Sequence, residues 1–554
     1  MNRKTLLATL MLALASLAMA QGIMGGHVTG NIQMDGQMSR ADSSIGAQDI
    51  PERLLLNTRA DVLYQNGGFS AGLRLEMYQN PLLGFDSEWK KGMGVAHYFV
   101  RYSTQRLSVT AGNFYEQFGN GMILRTYEDR YLGIDNALFG LGVQYRPVEG
   151  VVLKALAGRQ RVYWDYAESL VRGIDAEASL NSLIKPLEES KLRVTLGAGF
   201  VSKYEDDEVI HAEDPSYRLN LPLNVGAASF RADLGYGNWT LQSEYAVKGQ
   251  DPWTDNNYTY RRGNALMLNL GYSQRGFSAG LQAKRIDNMG FKSVRSQSGQ
   301  MLFINYLPAI TKNHTYALMA MYPYATQVGG EQGLQADIMY KIQKGTLLGG
   351  KYGTDVHVNS SVVTSLDTTR TGGRGTEGYT VETFSKGPML YGDVSLEVAK
   401  KLSKAVKLTA TYAYQVFNPL VEGHGSDLYH NNILVADVSW KVCKGHSIRF
   451  EAEWMGSDSR YDPAEGHDDR RAGDWLMGLV EWNIGSHWFI SVSDQYAYHD
   501  GTGNYYNLSA GYSHGATRLQ VGYGKQREGL LCIGGVCRPV PASNGLTFSL
   551  STNF

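Results

Sequence analysis

Apolar and polar side chains alternate with a period of two through long segments of this chain, and that alternation limits its fold more than any other feature. In Val406-Lys407-Leu408-Thr409-Ala410-Thr411-Tyr412 the even positions are apolar and the odd ones polar. The pattern recurs as Leu434, Ala436, Val438 and Trp440 against Asp437, Ser439 and Lys441. It recurs again as Ile448, Phe450, Ala452 and Trp454 against Arg449, Glu451 and Glu453. Successive side chains of a strand point to opposite faces, so each segment has one greasy face and one wet face. A water-soluble sandwich also alternates, but its strands usually run about 5–6 residues. With their flanks, these segments reach the roughly 9–11 residues that a tilted strand needs to cross a bilayer.

The connections between the segments come in two sizes. Short turns fall at Asn66-Gly67-Gly68, Ser103-Thr104-Gln105, Gly237-Asn238, Gln274-Arg275-Gly276, Gln343-Lys344-Gly345, Cys443-Lys444-Gly445 and Ser513-His514-Gly515. Long polar loops fall at 205–224, 358–386, 418–430 and 456–473. Short turns on one rim and long loops on the other are the pattern of an outer-membrane barrel. The expected fold is therefore all-β: a single large antiparallel transmembrane β-barrel of about 26 strands, within 22–30, with short periplasmic turns and long extracellular loops. At about 4.8 Å between strands and a tilt near 40° it measures roughly 50 Å across, too wide for lining side chains to fill.

Both ends of the chain agree with export to that membrane. Arg3 and Lys4, the apolar run Leu6 to Leu17 and the small residues of Ala18-Met19-Ala20 read as a signal peptide over residues 1–20, leaving residues 21–554 as the barrel. No later segment approaches the roughly 20 apolar residues of a spanning helix. The final residues, Gly545 to Phe554, alternate again and stop on an aromatic, like the terminal strand by which outer-membrane barrels are recognised. The 35 Tyr, 64 Gly and only 14 Pro suit strands with aromatic girdles. A formal net charge of −1 argues against nucleic acid as a partner.

Few constellations carry chemistry. His487, Asp494, His499 and Asp500 lie near one another, but no Ser joins them in a recognisable motif. HExxH and phosphate-loop motifs are absent, so no enzyme activity, metal or cofactor is expected. The acidic stretches Glu205-Asp206-Asp207-Glu208 and His467-Asp468-Asp469 lack the ordered spacing of a calcium loop and read as solvated surface. Cys532 and Cys537, with four residues between them in the last long loop, are expected to form a disulfide, because export places them in an oxidising compartment.

Residues 113–136 follow a good strand but are too irregular to face lipid. Two readings stand: a segment folded into the lumen with Arg125, Glu128, Asp129 and Arg130 lining a constriction, or an ordinary outer loop with solvated charges. Lysines gather at short turns (Lys312, Lys341 with Lys344, Lys400 with Lys401 and Lys404, Lys441 with Lys444), with His314 and His446 beside two of them. Such lysines solvate turns and meet lipid headgroups, or they form a docking surface for an acidic periplasmic protein.

Phe118-Gly119-Asn120-Gly121, Arg125-Thr126-Tyr127-Glu128, Gly133-Ile134-Asp135-Asn136, the loop from Cys532 to Arg538 and Pro541-Ala542-Ser543-Asn544-Gly545 resemble a family of uncharacterised full-length outer-membrane barrels. These come from bacteria with a type IX secretion system. The resemblance implies the fold, the outer-membrane location and a link to the periplasmic ring of that machine, and it carries over no site residues. Two functions are left: a structural or accessory barrel that docks a partner such as a secretion-ring protein or a lumen plug, or a porin-like uptake channel. The first strand follows the leader almost at once, which leaves no room for the N-terminal plug domain of a TonB-dependent transporter.

Overall fold

The computed structural model describes residues 25–212, 214–372, 378–382, 385–422, 427–460, 469–499 and 503–554. The leader expected over 1–20, and most of the acidic stretch 467–469, lie outside the described residues. Twenty-four strands close into one antiparallel barrel, and two short extra strands extend its sheet. The number falls inside the range expected from the alternation and gives a diameter of about 48 Å by the same strand geometry.

Closure is made by the first and last strands. His27–Arg40 pairs with Ser543–Asn553 over ten residues, from Asn31 opposite Asn553 to Arg40 opposite Asn544. Phe554 extends the seam through a reciprocal backbone pair with Gly30, 2.9 Å each way. A closed ladder leaves no edge strand in lipid, where an unpaired backbone group would be costly.

The alternation sorts as the pleat requires. In Val406–Phe417, Tyr412 is 43% exposed on the outer face while Thr409 and Thr411 are buried toward the lumen. Outward aromatics ring the rim that carries both termini of the barrel: Tyr102, Tyr145, Tyr236, Trp239, Tyr340 and Trp488. That girdle is where amphipathic rings sit at a membrane interface.

Three connections differ from the sequence reading. The long loop expected at 358–386 begins only after Thr364, because 358–364 pair on both sides as barrel wall. The turn at Gln343-Lys344-Gly345 is the start of an eleven-residue connection, 343–353, between Gly330–Ile342 and Thr354–Thr364. Lys312 and His314 are not at a turn. They lie in the connection 288–329, which leaves the loop rim after Phe277–Asp287 and turns back into the barrel. Its run Leu318-Met319-Ala320-Met321-Tyr322 has no alternation and too much apolar surface for a solvated loop. Leu318, Met319, Met321 and Tyr322 are all buried.

Candidate functional site in the barrel lumen

Among the described residues, three connections from the loop rim run deep into the lumen: 115–137, 288–329 and 527–542. Apolar burial seats the first two. Phe118, Met122, Ile123 and Leu124 of the first pack with Met289, Phe291, Ile304 and Leu307 of the second against wall residues such as Val171, Val201 and Ile286. Ile310, Leu318, Met321 and Tyr322 form a further cluster with wall residues that include Phe417, Ile433, Met455 and Trp475. Each large apolar side chain taken from water contributes about 1.5–3 kcal/mol.

Polar wall residues hold the backbone of 288–329. Lys203 Nζ donates to the Lys292 carbonyl at 2.7 Å and pairs with Asp251 at 2.9 Å. Lys284 Nζ reaches the Pro308 carbonyl and Glu331, both at 2.5 Å. The Glu453 carboxylate accepts from Ala317 N at 2.9 Å and Leu318 N at 3.0 Å. Lys312 Nζ lies 3.4 Å from His357 Nδ1, and His314 Nε2 lies 2.9 Å from Asp393 Oδ2, so both residues clamp this segment to the wall. Glu205, read from sequence as solvated, is buried instead and accepts from Arg295 N at 2.9 Å.

The first segment carries the four residues singled out from sequence, and each has a distinct place. Glu128 pairs with Arg59, and with Arg74 Nη2 at 2.7 Å. Arg130 donates to Glu128 at 2.9 Å, to Gln33 Oε1 at 2.6 Å and to Asp61 at 3.4 Å. Arg125 stacks its guanidinium 4.0 Å above the Tyr306 ring. Asp129 accepts from the Tyr131 and Leu132 amides at 2.9 Å each and fixes a local turn. Beside them Arg161 joins Asp135 at 2.5 Å and Glu76 at 2.8 Å, all three almost fully buried.

Cys532 and Cys537 form a disulfide that closes the hairpin of Gly529–Ile533 and Val536–Val540. The hairpin does not stand out into solvent. Its tip meets 288–329: Tyr306 Oη donates to the Gly534 carbonyl at 2.6 Å, and Thr326 N donates to the Gly535 carbonyl at 3.0 Å. A Cβ on Gly534 would lie 1.9 Å from Tyr306 Oη, and both glycines have positive φ, so this approach needs glycine.

The lysines proposed for docking, Lys341, Lys344, Lys400, Lys401 and Lys404, all fall at the turn rim on neighbouring hairpins. Lys341 pairs with Asp355 at 3.1 Å, and Lys400 Nζ donates to the Leu348 carbonyl at 3.0 Å. Among the described residues, no group of three or more His, Cys, Asp or Glu is placed to hold a metal ion.

A barrel filled by its own connections is the setting for the comparisons. The family of unknown function DUF6029 matches residues 1–554. The chain belongs to DUF6029. No protein of curated function matches it. Among solved structures, this DUF6029 chain is similar to the outer-membrane protein OpdK of Pseudomonas aeruginosa, at 12% identity over 74% of this chain and 98% of that one, with a TM-score of 0.36. It is also similar to the P pilus usher PapC translocation pore, at 11% identity over 95% and 99%, with a TM-score of 0.40. A third is the siderophore receptor PirA of P. aeruginosa, at 9% identity over 95% and 80%, with a TM-score of 0.41. The barrel assignment of the DUF6029 chain rests on its own strand pairing.

Proposed function

We propose that the protein is an accessory outer-membrane barrel that docks an acidic periplasmic partner on its turn rim, within the type IX secretion machinery. The observation that carries this reading is the connection 343–353. Backbone bonds from Gly345 N to Gly350 O (2.7 Å), Gly350 N to Thr346 O (2.8 Å) and Gly353 N to Gly349 O (2.9 Å) make it a defined structure. It presents Leu347, 97% exposed, and Leu348, 66% exposed, beyond the rim. Lys344 and Lys351 flank the two leucines in sequence, and Lys400 binds the Leu348 carbonyl. On the next hairpin Lys401 and Lys407 face each other in register, an arrangement that costs stability in isolation and is relieved by an acidic partner. The resemblance noted from sequence supports the secretion ring as the source of that partner.

The test is to replace Lys341, Lys344, Lys400, Lys401 and Lys404 with Gln, and separately Leu347 and Leu348 with Ser, and to compare what co-purifies from native membranes. Exposed pairs are worth only about 0–1 kcal/mol each, so docking needs several together and weakens with salt. Partners unchanged across a range of salt in both variants reject docking and leave the lysines as headgroup contacts. A second reading, a narrow solute channel, is favoured by one observation: the inward segments leave a row of cavities along the closing seam.

A further inference from the structure

Three cavities follow the lumen face of His27–Arg40. The first, about 640 Å³, includes Asn31, Asp61, His97, Phe99, Arg101 and Tyr115 and lies toward the turn rim. The second, about 190 Å³, includes Gln33, Asp35, Arg59 and Arg130. The third, about 710 Å³, includes Asp35, Gln37, Gln495, Gln520, Thr547 and Ser549 and lies toward the loop rim. The second and third share Asp35, Leu82, Phe85, Tyr131 and Arg538 as lining, so they lie side by side. Between the first and second stands Arg130, bridging Gln33 and Asp61.

Charge along this row is uneven. Arg59, Arg74 and Arg130 are matched by Glu76, Glu128 and Asp61. Among the described residues Arg101, Arg527 and Arg538 make no close ion pair; the nearest compensation is the more distant charge of Asp469 for Arg527 and of Asp129 for Arg538. Arg101 donates to Thr110 Oγ1 at 2.8 Å, Arg538 to the carbonyls of Tyr131 and Leu83 at 2.9 and 3.2 Å, and Arg527 to the Glu528 carbonyl at 3.0 Å. Arg527 Nε is buried with no acceptor at all. A guanidinium left so is costly unless an anion completes it. His97, 8% exposed, likewise leaves Nε2 unpartnered in the wall of the first cavity. The opposing unpaired carboxylate is Asp35, which accepts from Ser549 Oγ at 2.7 Å and Gln33 Nε2 at 2.8 Å.

We propose that these cavities are a side passage through the filled lumen for small solutes bearing an oxyanion group, with Arg130 as its gate and Arg101, Arg527 and Arg538 as its anion-binding stations. The proposal rests on the channel reading above and adds the solute class and the gate. Amide and hydroxyl side chains of the wall donate to such a group, and the arginine fork matches carboxylate and phosphate geometry. The matched charges at the centre keep the passage narrow and closed to bulk ions until Arg130 lets go of Gln33 and Asp61.

The test uses the full chain in planar bilayers, with each variant first shown to migrate as a folded, heat-modifiable barrel. Under a tenfold KCl gradient the reversal potential should report a several-fold preference for anions. Arg527→Gln with Arg538→Gln should bring that preference close to one, while Arg527→Lys with Arg538→Lys should keep it. Arg130→Ala should raise the conductance several-fold. Replacing chloride by acetate or by inorganic phosphate separates the two oxyanion classes: the better ligand shows more block of the chloride current, and block by neither overturns the solute class. A cation preference, or selectivity unmoved by the double Gln variant, overturns the anion stations and leaves the channel standing. Absence of current even in Arg130→Ala overturns both the passage and the channel reading.

Discussion

The Tyr306 hydroxyl donates to the Gly534 carbonyl at 2.6 Å, across 228 residues of sequence. The same tyrosine takes Gly121 O on its amide at 3.0 Å and carries the Arg125 guanidinium on its ring. All three inward connections therefore meet at one side chain. The disulfide hairpin is the last of the three in chain order, and its tip docks on residues of 288–329.

Tyr306→Phe should cost little in global stability, about 0.5–1.5 kcal/mol for a hydrogen bond of this kind, because Ala309 N still donates to the Gly534 carbonyl at 3.3 Å. Gly534→Ala should do more. Its Cβ meets Tyr306 Oη at 1.9 Å from a φ of +59°, so the tip must move. Limited proteolysis and disulfide reduction rates of the 527–542 connection should rise clearly in Gly534→Ala and only slightly in Tyr306→Phe. Equal protection in parent and Gly534→Ala shows that the tip is not docked.

The barrel face prediction compares neighbours in one strand. Ala410→Arg places a charge on the lipid face and should cost about 2–4 kcal/mol if it sits near mid-membrane. Lys407 and Asp437 point inward, and Cys in either place should react with a water-borne reagent while Cys at Leu408, Tyr412 or Val438 does not. Equal labelling of both sets contradicts the assigned faces.

The barrel was legible because its physics is local. Lys407 and Leu408 declare their faces by a period of two, and Gly67 or Gly237 declares a turn. The lumen was only partly legible. Residues 113–136 betrayed themselves by mixing Phe118 and Leu124 with charges, but 288–329 hid because burial inside a barrel leaves no periodicity to read. Lys312 looked like a turn lysine since its partner, His357, is a wall residue in another strand. The apolar run Leu318 to Tyr322 was the available signal, being greasier than an outer loop needs. At the rim, Gln343-Lys344-Gly345 reads as a complete turn, and only the strand register reveals that Leu347 and Leu348 stand beyond it.

The buried charge cluster should behave as a unit. Glu76 pairs with Arg161 at 2.8 Å and Arg59 at 3.2 Å, with its own side chain inaccessible. Glu76→Gln leaves those guanidinium groups short of a counter-charge, and breaking such a buried pair costs about 3–5 kcal/mol. The unfolding midpoint in denaturant should fall with unchanged slope. A double change, Glu76→Gln with Arg161→Met, should lose less than the sum of the single changes. Strict additivity contradicts the coupling.

Acid should loosen the loop side of the lumen. Arg471 binds Glu422 at 3.0 and 2.6 Å and Asp469 at 2.9 Å, and its carbonyl accepts from Tyr322 Oη at 2.7 Å and Trp475 Nε1 at 2.9 Å. Burial acts to raise Asp469, but the Arg471 guanidinium and its hydrogen bonds outweigh it and hold the carboxyl below its ordinary range. A carboxyl depressed in the folded state contributes stability above its unfolded pKa, about 3.9, and loses it as the pH falls toward the folded value. Trp475 emission should therefore stay constant down to about pH 4 and shift below it. In Asp469→Asn the shift should be present already at neutral pH and flat with acid. A parent profile that changes first near pH 6–7 contradicts this origin.

Deleting Asn120 to Arg130 tests how the lumen is filled. The deletion removes Met122, Ile123 and Leu124 from one apolar cluster and the Glu128 and Arg130 clamps from the wall. If 115–137 were the whole obstruction, conductance would jump to that of a pore approaching the barrel's width of about 48 Å. That segment is only part of the obstruction, because 288–329 keeps its own contacts: Lys284 to Pro308, His314 to Asp393 and Glu453 to the Ala317 and Leu318 amides. Conductance should accordingly rise severalfold and remain far below an open pore. Adding Glu453→Ala and Asp393→Ala, which release the second segment from the wall, should then raise it again. An open-pore value from the single deletion refutes the role given to 288–329, and no rise at all refutes the role given to 115–137.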